Sequence, residues 1–99
     1  MRIIDKLMHS LEEEIEGAKH YAEKYIENMA RGNNGRAVKF KEMANDELKH
    51  AAYVRDFAIM DIDEMRRVYK IPDAEMEKWE HFHKKMMEEM AMVRHMLAG

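Results

Sequence analysis

Met29-Ala30-Arg31-Gly32-Asn33-Asn34-Gly35-Arg36-Ala37 is the stretch from which the architecture can be read. Gly and Asn accept positive φ at little cost, so a helix arriving from the N-terminal side stops here and the chain can reverse over a short loop. On the N-terminal side, Ile4, Leu7, Met8, Leu11, Ile15, Ala18, Ala22, Tyr25, Ile26 and Met29 recur at intervals of mostly three and four, the stripe of an amphipathic helix. Helix 1 is expected over about residues 3–31. On the C-terminal side, Val38, Phe40, Met43, Ala44, Leu48, Ala51, Val54, Phe57 and Ala58 continue the same kind of pattern, giving helix 2 over about 36–60. The two form an antiparallel hairpin.

Further along, Asp61-Ile62-Asp63-Glu64 offers an Asp cap with an acid close behind it, which reads as the start of a short connector helix over about 62–69. Ile71-Pro72-Asp73 marks a break and a new start, because the residue before Pro avoids the α region while Pro72 or Asp73 suits a helix entrance. Helix 3 is then expected over about 73–97. Met76, Trp79, His83, Met86, Met90, Val93 and Leu97 give it a narrow heptad-like seam suited to packing on another helix. No Gly/Ser-rich linker or low-complexity tract divides residues 1–99, so one all-α domain is expected.

Composition narrows the function classes. A chain of 99 residues buries only about 60–65% of the surface its unfolded form exposes, so stability from a second copy is expected. There is no cysteine, which removes disulfides, thiolate nucleophiles, zinc fingers and iron–sulfur ligation. Any metal has to be held by Glu, Asp and His. The 17 basic and 20 acidic residues, for a formal charge of -3, are spread along the chain with no basic block, so no nucleic-acid partner is expected. No apolar run approaches the roughly 20 residues of a membrane span, and Met1-Arg2-Ile3-Ile4-Asp5 lacks the apolar core of a signal peptide; a cytoplasmic protein without membrane contact is expected. The 12 methionines read as adaptable core or interface filler.

The chemistry sits in helix 2, in Asp46-Glu47-Leu48-Lys49-His50. Glu47 and His50, three apart, project from one helical side and can reach one metal. On helix 1, Glu14 lies between Leu11 and Ala18 on the core-facing stripe. Reflected through a loop at Asn33 and Asn34, position 47 falls near 20 and position 50 near 17, which leaves Glu14 within about one turn of the pair. Glu16 fits by height but sits off the stripe, and is a weaker ligand candidate. Buried carboxylates need a charge partner, and a divalent cation supplies one. Carboxylate and imidazole without thiolate suit iron or manganese, with zinc also compatible.

These residues resemble the ferritin-like di-iron carboxylate proteins, whose site takes a Glu from each of two helices and a Glu-x-x-His from each of two others. The resemblance covers about residues 7–58 and is closest to the rubrerythrin and bacterioferritin pattern: Glu14, Tyr21 seven residues later, a helix break, then Asp46-Glu47-x-x-His50. It implies Glu14, Glu47 and His50 as metal ligands and Asp46 as an orienter that accepts a hydrogen bond from a site histidine. It places Tyr21 beside the metals, able to hydrogen-bond a ligand. Lys49 stands where many members have Arg. One half-site per chain, with a single further long helix, departs from the two-hairpin pattern and is similar to the encapsulated ferritins, short chains that complete a four-helix site across a dimer. No cargo tail follows Gly99, so residence inside a shell is not expected. The implied activity is ferroxidase-type iron oxidation, with O2 or peroxide as co-substrate, by a homodimer or larger homo-oligomer.

Two other readings belong beside this one. Glu80-His81-Phe82-His83 is a second Glu-x-x-His, so Glu80 and His83 could join Glu14, Glu47 and His50 in a within-chain site. Their bland reading is a seam histidine beside a solvated Glu. The alternative function is a non-enzymatic helical assembly protein, of the kind found in phage or mobile elements, whose polar residues specify pairing or whose metal site is structural or vestigial.

Overall fold

Gly32, at φ 76°, is where the first helix ends. The computed structural model describes residues 2–99, and in it α1 covers Arg2–Ala30, α2 Asn34–Val68 and α3 Asp73–Ala98, with no strand among the described residues. At the end of α1, Asn33 N–H donates to the Asn28 carbonyl (2.8 Å) and Gly32 N–H to that of Met29 (3.1 Å). This pair of bonds is a Schellman cap, which needs a left-handed residue where Gly32 stands. Ala37 N–H then donates to the Asn33 carbonyl (2.9 Å), so α2 starts at once, two residues earlier than its apolar pattern indicates. Three residues make the turn.

The connector helix expected over 62–69 is not a separate element: α2 runs unbroken through it to Val68. Asp61, Asp63 and Glu64 are tolerable inside a helix, at a few tenths of a kcal/mol each. Ala58 and Ile62 are buried, with Met65 packed against the core, so the buried stripe keeps its spacing across the acidic segment. Continuity of the buried face outweighs the local capping signal. The real break comes at Tyr69, which is extended (φ -154°, ψ 165°), and at Pro72, which serves as N-cap of α3 by accepting bonds from Glu75 and Met76 N–H. Ile71 is buried and pins this loop to the core.

The helices lie side by side in a rod of 55 × 18 × 17 Å, with α1 packed against both others. Chain direction alternates, since Asp5 at the start of α1 meets Lys78 at the start of α3 (2.6 Å), and the Tyr25 hydroxyl near the end of α1 donates to the Gly99 carbonyl (3.3 Å). Ala18, Ala22, Ala37, Ala44, Ala51 and Ala58 are fully buried, and these small side chains let α1 and α2 approach closely. From α3, Trp79, Met86, Met90, Val93 and Leu97 complete the core with Ile4, Leu11 and Ile15, as the heptad spacing indicates.

One face of the hairpin is covered by α3 and the other is not. Leu48 and Ala52 line a groove with Arg94 of α3, and Arg55 Nη1 contacts Met87 Sδ at 3.4 Å. Phe40, Met43, Glu47, His50, Val54 and Phe57 repeat along the opposite flank of α2, where Met43 and Phe57 are exposed. The corresponding flank of α1 carries Ile3, Leu7, Glu14, Gly17 and Tyr21. The apolar stripes of the hairpin are therefore wider than the core they bury within one chain. Ile26, Met29 and Val38 also face outward.

Candidate metal centre

The open flank is where Glu14, Glu47 and His50 meet. One ligand atom from each lies within 4.8 Å of the others, the one such His/Asp/Glu group among the described residues. His50 Nδ1 stands 3.7 Å from Glu14 Oε2 and 3.8 Å from Glu47 Oε1. Ligands about 2.1 Å from one ion stand roughly 3.0–3.4 Å apart, and the two His50–carboxylate separations of 3.7 and 3.8 Å exceed that range by only a few tenths of an ångström. The helices set this geometry: Glu47 and His50 are neighbours because they are three apart on α2, and the three-residue turn brings Glu14 level with them. Gly17 on α1 is directly opposite Glu47, so the true reflection point lies nearer Gly32 than Asn33 and Asn34.

The two carboxyls of this group crowd each other electrostatically. Glu47 has its proton affinity pushed above the ordinary carboxylate value, first because the Glu14 carboxyl is its hydrogen-bond partner, then through partial burial and the Glu14 charge. Asp46 pushes the same way and His50 opposes it. Two carboxyls this close cannot both ionise freely without a counter-charge. The donor set of two carboxylates and one imidazole is the hard-to-borderline chemistry of iron, manganese or zinc. The side chains of Glu14 and Glu47 are 31% and 27% exposed and that of His50 57%, so the group opens outward on the His50 side.

Other expected site residues fall in different places. Tyr21 is half-buried one turn beyond Gly17, stacked on Phe40 (centroids 6.4 Å, 27°) and tilted against His20 (5.6 Å), on the same flank as the three donors. Asp46 is exposed and acts on Glu47 through its charge; among the described residues it makes no hydrogen bond to His50 within one chain. Glu16 is exposed and does not join the group.

Glu80 and His83 also do not join it, so the within-chain five-ligand arrangement does not form. Glu80 is exposed, while His83 turns into the α2–α3 contact, stacked on Trp79 at 5.4 Å and 22°. Burial, with the Arg55 charge adding to it, holds the His83 pKa below the usual imidazole value. It sits on the side of α2 that α3 covers, across the hairpin from Glu47 and His50.

Gly17, whose missing side chain leaves space for the Glu47 carboxylate, is the position in this cluster that periodicity does not reveal. The signal was present as a glycine inside an otherwise strong helix former, which costs about 1 kcal/mol relative to Ala and asks for a packing reason.

Comparison of the chain with protein-family models, with curated proteins and with solved structures gives no match. No helix among the described residues is long and apolar enough to cross a membrane.

Proposed function

We propose that this chain is a ferritin-like di-iron carboxylate protein that oxidises Fe(II), with its centre completed between two copies. The observation that carries this reading is the convergence of Glu14, Glu47 and His50 on the one flank of the hairpin that α3 leaves open, with apolar side chains above and below them. Two copies facing each other across that flank bring four Glu and two His together, the donor set of a carboxylate-bridged metal pair. The flank of a 55 × 18 Å rod offers on the order of 1,000 Å² per copy, enough for a standard interface of about 800 Å² per partner. Ile3, Leu7, Phe40, Met43, Val54 and Phe57 would be its apolar contacts.

Within this reading, Glu14 and Glu47 balance the cation charge, and the ion relieves the crowding that raises the proton affinity of Glu47. His50 supplies a neutral nitrogen and fixes the outer edge of the site. Iron, with manganese as the next fit, would supply the redox chemistry when bound: two Fe(II) would give up two electrons, which with two protons reduce O2 to hydrogen peroxide or hydrogen peroxide to two water molecules. Tyr21, half-buried on the same flank, would hydrogen-bond a small ligand in this reading. Asp46, exposed beside the group, is free to reach a histidine of the facing copy.

Anaerobic Fe(II) followed by air or peroxide tests the activity: the protein should oxidise iron faster than buffer, and Glu47→Ala should return the rate to that of buffer. Equal rates for both proteins would remove the enzymatic reading. The exposed apolar flank by itself also suits an assembly protein whose acids and histidine only specify pairing. That alternative is distinguished by pairing and melting temperature that do not respond to chelation.

A further inference from the structure

We infer that Gly17 is a positioning residue for the metal site: its missing side chain is the seat on α1 against which the Glu47 carboxylate rests. The inference builds on the metal-site reading of Glu14, Glu47 and His50. A Cβ at position 17 would lie 3.1 Å from Glu47 Oε2, 3.6 Å from its Cδ and 3.7 Å from its Cγ. The first distance is tighter than an ordinary van der Waals contact, so any other residue here forces the carboxylate to move.

Backbone conformation does not explain this glycine. Gly32 is the glycine with positive φ among the described residues, so position 17 is ordinary helix that Ala would fill more favourably. What it lacks is room. Position 17 is three residues from Glu14 and shares its side of α1, so a side chain there would enter the space where Glu14 and Glu47 meet. Glycine leaves the Glu47 carboxylate resting against α1, with Oε1 3.8 Å from His50 Nδ1 and the group within reach of Glu14.

The effect depends on whether an ion holds the carboxylate. Free, Glu47 is the far end of a flexible chain and yields by a few tenths of an ångström. Held to a cation it has fixed distances, and the same displacement breaks ligand geometry. Gly17→Ala should therefore improve the helix of the metal-free protein and impair the loaded one.

The test is a double-mutant cycle read in two ways. Mn(II) binding by calorimetry should weaken at least about tenfold in Gly17→Ala, in the range seen when groups that orient metal ligands are altered. Metal-free melting should show Gly17→Ala raising the melting temperature by a few degrees, and by more in the Glu47→Ala background, where no carboxylate is displaced. Gly35→Ala is the control, since a Cβ there meets nothing within 4 Å, and it should leave Mn(II) affinity unchanged. Equal affinity in Gly17→Ala and wild type, with no coupling to Glu47 in melting, would overturn the inference. Coupling in melting without Mn(II) binding by the wild type would keep the seat and overturn the metal reading instead.

Discussion

Replacing Glu47 by Gln separates what this side chain does for the fold from what it does for an ion. Gln keeps the length and volume of Glu, so the contact with Gly17 and the flank of α2 are preserved. It removes one of two carboxylates that crowd each other, each about 30% exposed. At pH 7 without metal the variant should match the wild type or exceed it by up to about 1 kcal/mol, the scale of a partly solvated charge interaction. Metal has the opposite sign. An ion present at 100 times its dissociation constant and bound only by the folded state adds about 2.7 kcal/mol. At roughly 4–8 °C per kcal/mol for a domain of this size, the wild type should melt about 10–20 °C higher with Mn(II), and Glu47→Gln should lose most of that rise. Differential scanning calorimetry with and without chelator reads both effects. The reasoning is refuted if Glu47→Gln is destabilised by more than about 2 kcal/mol without metal and still shows the full Mn(II) shift.

Other outcomes follow from the same geometry. The Glu47 carboxyl binds its proton more tightly folded than unfolded, so its contribution to metal-free stability is present below about 4.5 and is lost as pH rises through the higher folded value; Glu47→Gln should remove that limb from a melting profile against pH. His83 behaves oppositely: its folded pKa lies below the unfolded 6.5, so its contribution is present above 6.5 and is lost as pH falls through the folded value, a limb absent in His83→Phe. Phe57→Asp places a charge on the open flank far from α3, and sedimentation should show dimerisation weakened by about 30-fold or more with helix content by circular dichroism unchanged. Leu11→Ala empties a fully buried position in the first half of α1 and should cost about 2–5 kcal/mol in urea unfolding, with the slope against denaturant preserved.

How much of this the residues announce differs from element to element. The hairpin is legible because Gly32 takes the left-handed conformation that ends α1 and the cap hydrogen bonds follow from it, whereas Asn33 and Asn34 keep negative φ. The seam of α3 is legible because heptad spacing and burial coincide from Trp79 to Leu97. The acidic run at Asp61 misleads because capping is a local signal worth about 1 kcal/mol, while the burial of Ala58 and Ile62 acts on both sides of it. At the site, Glu14, Glu47 and His50 are brought together by spacing along two helices and a turn of known length. His83 shows the limit of motif spacing: it satisfies Glu-x-x-His, yet a ring on a seam is drawn under Trp79 and away from Glu80. Gly17 is hidden for a different reason, since periodicity scores side chains and its role is to have none.

Native mass spectrometry of the protein loaded anaerobically with Fe(II) reads association and metal content in one spectrum, and so bears most directly on a centre shared between copies. A dimer, or a larger even assembly, carrying two irons per pair of chains is the expected result. A monomer without iron, or a dimer that holds none, would contradict it.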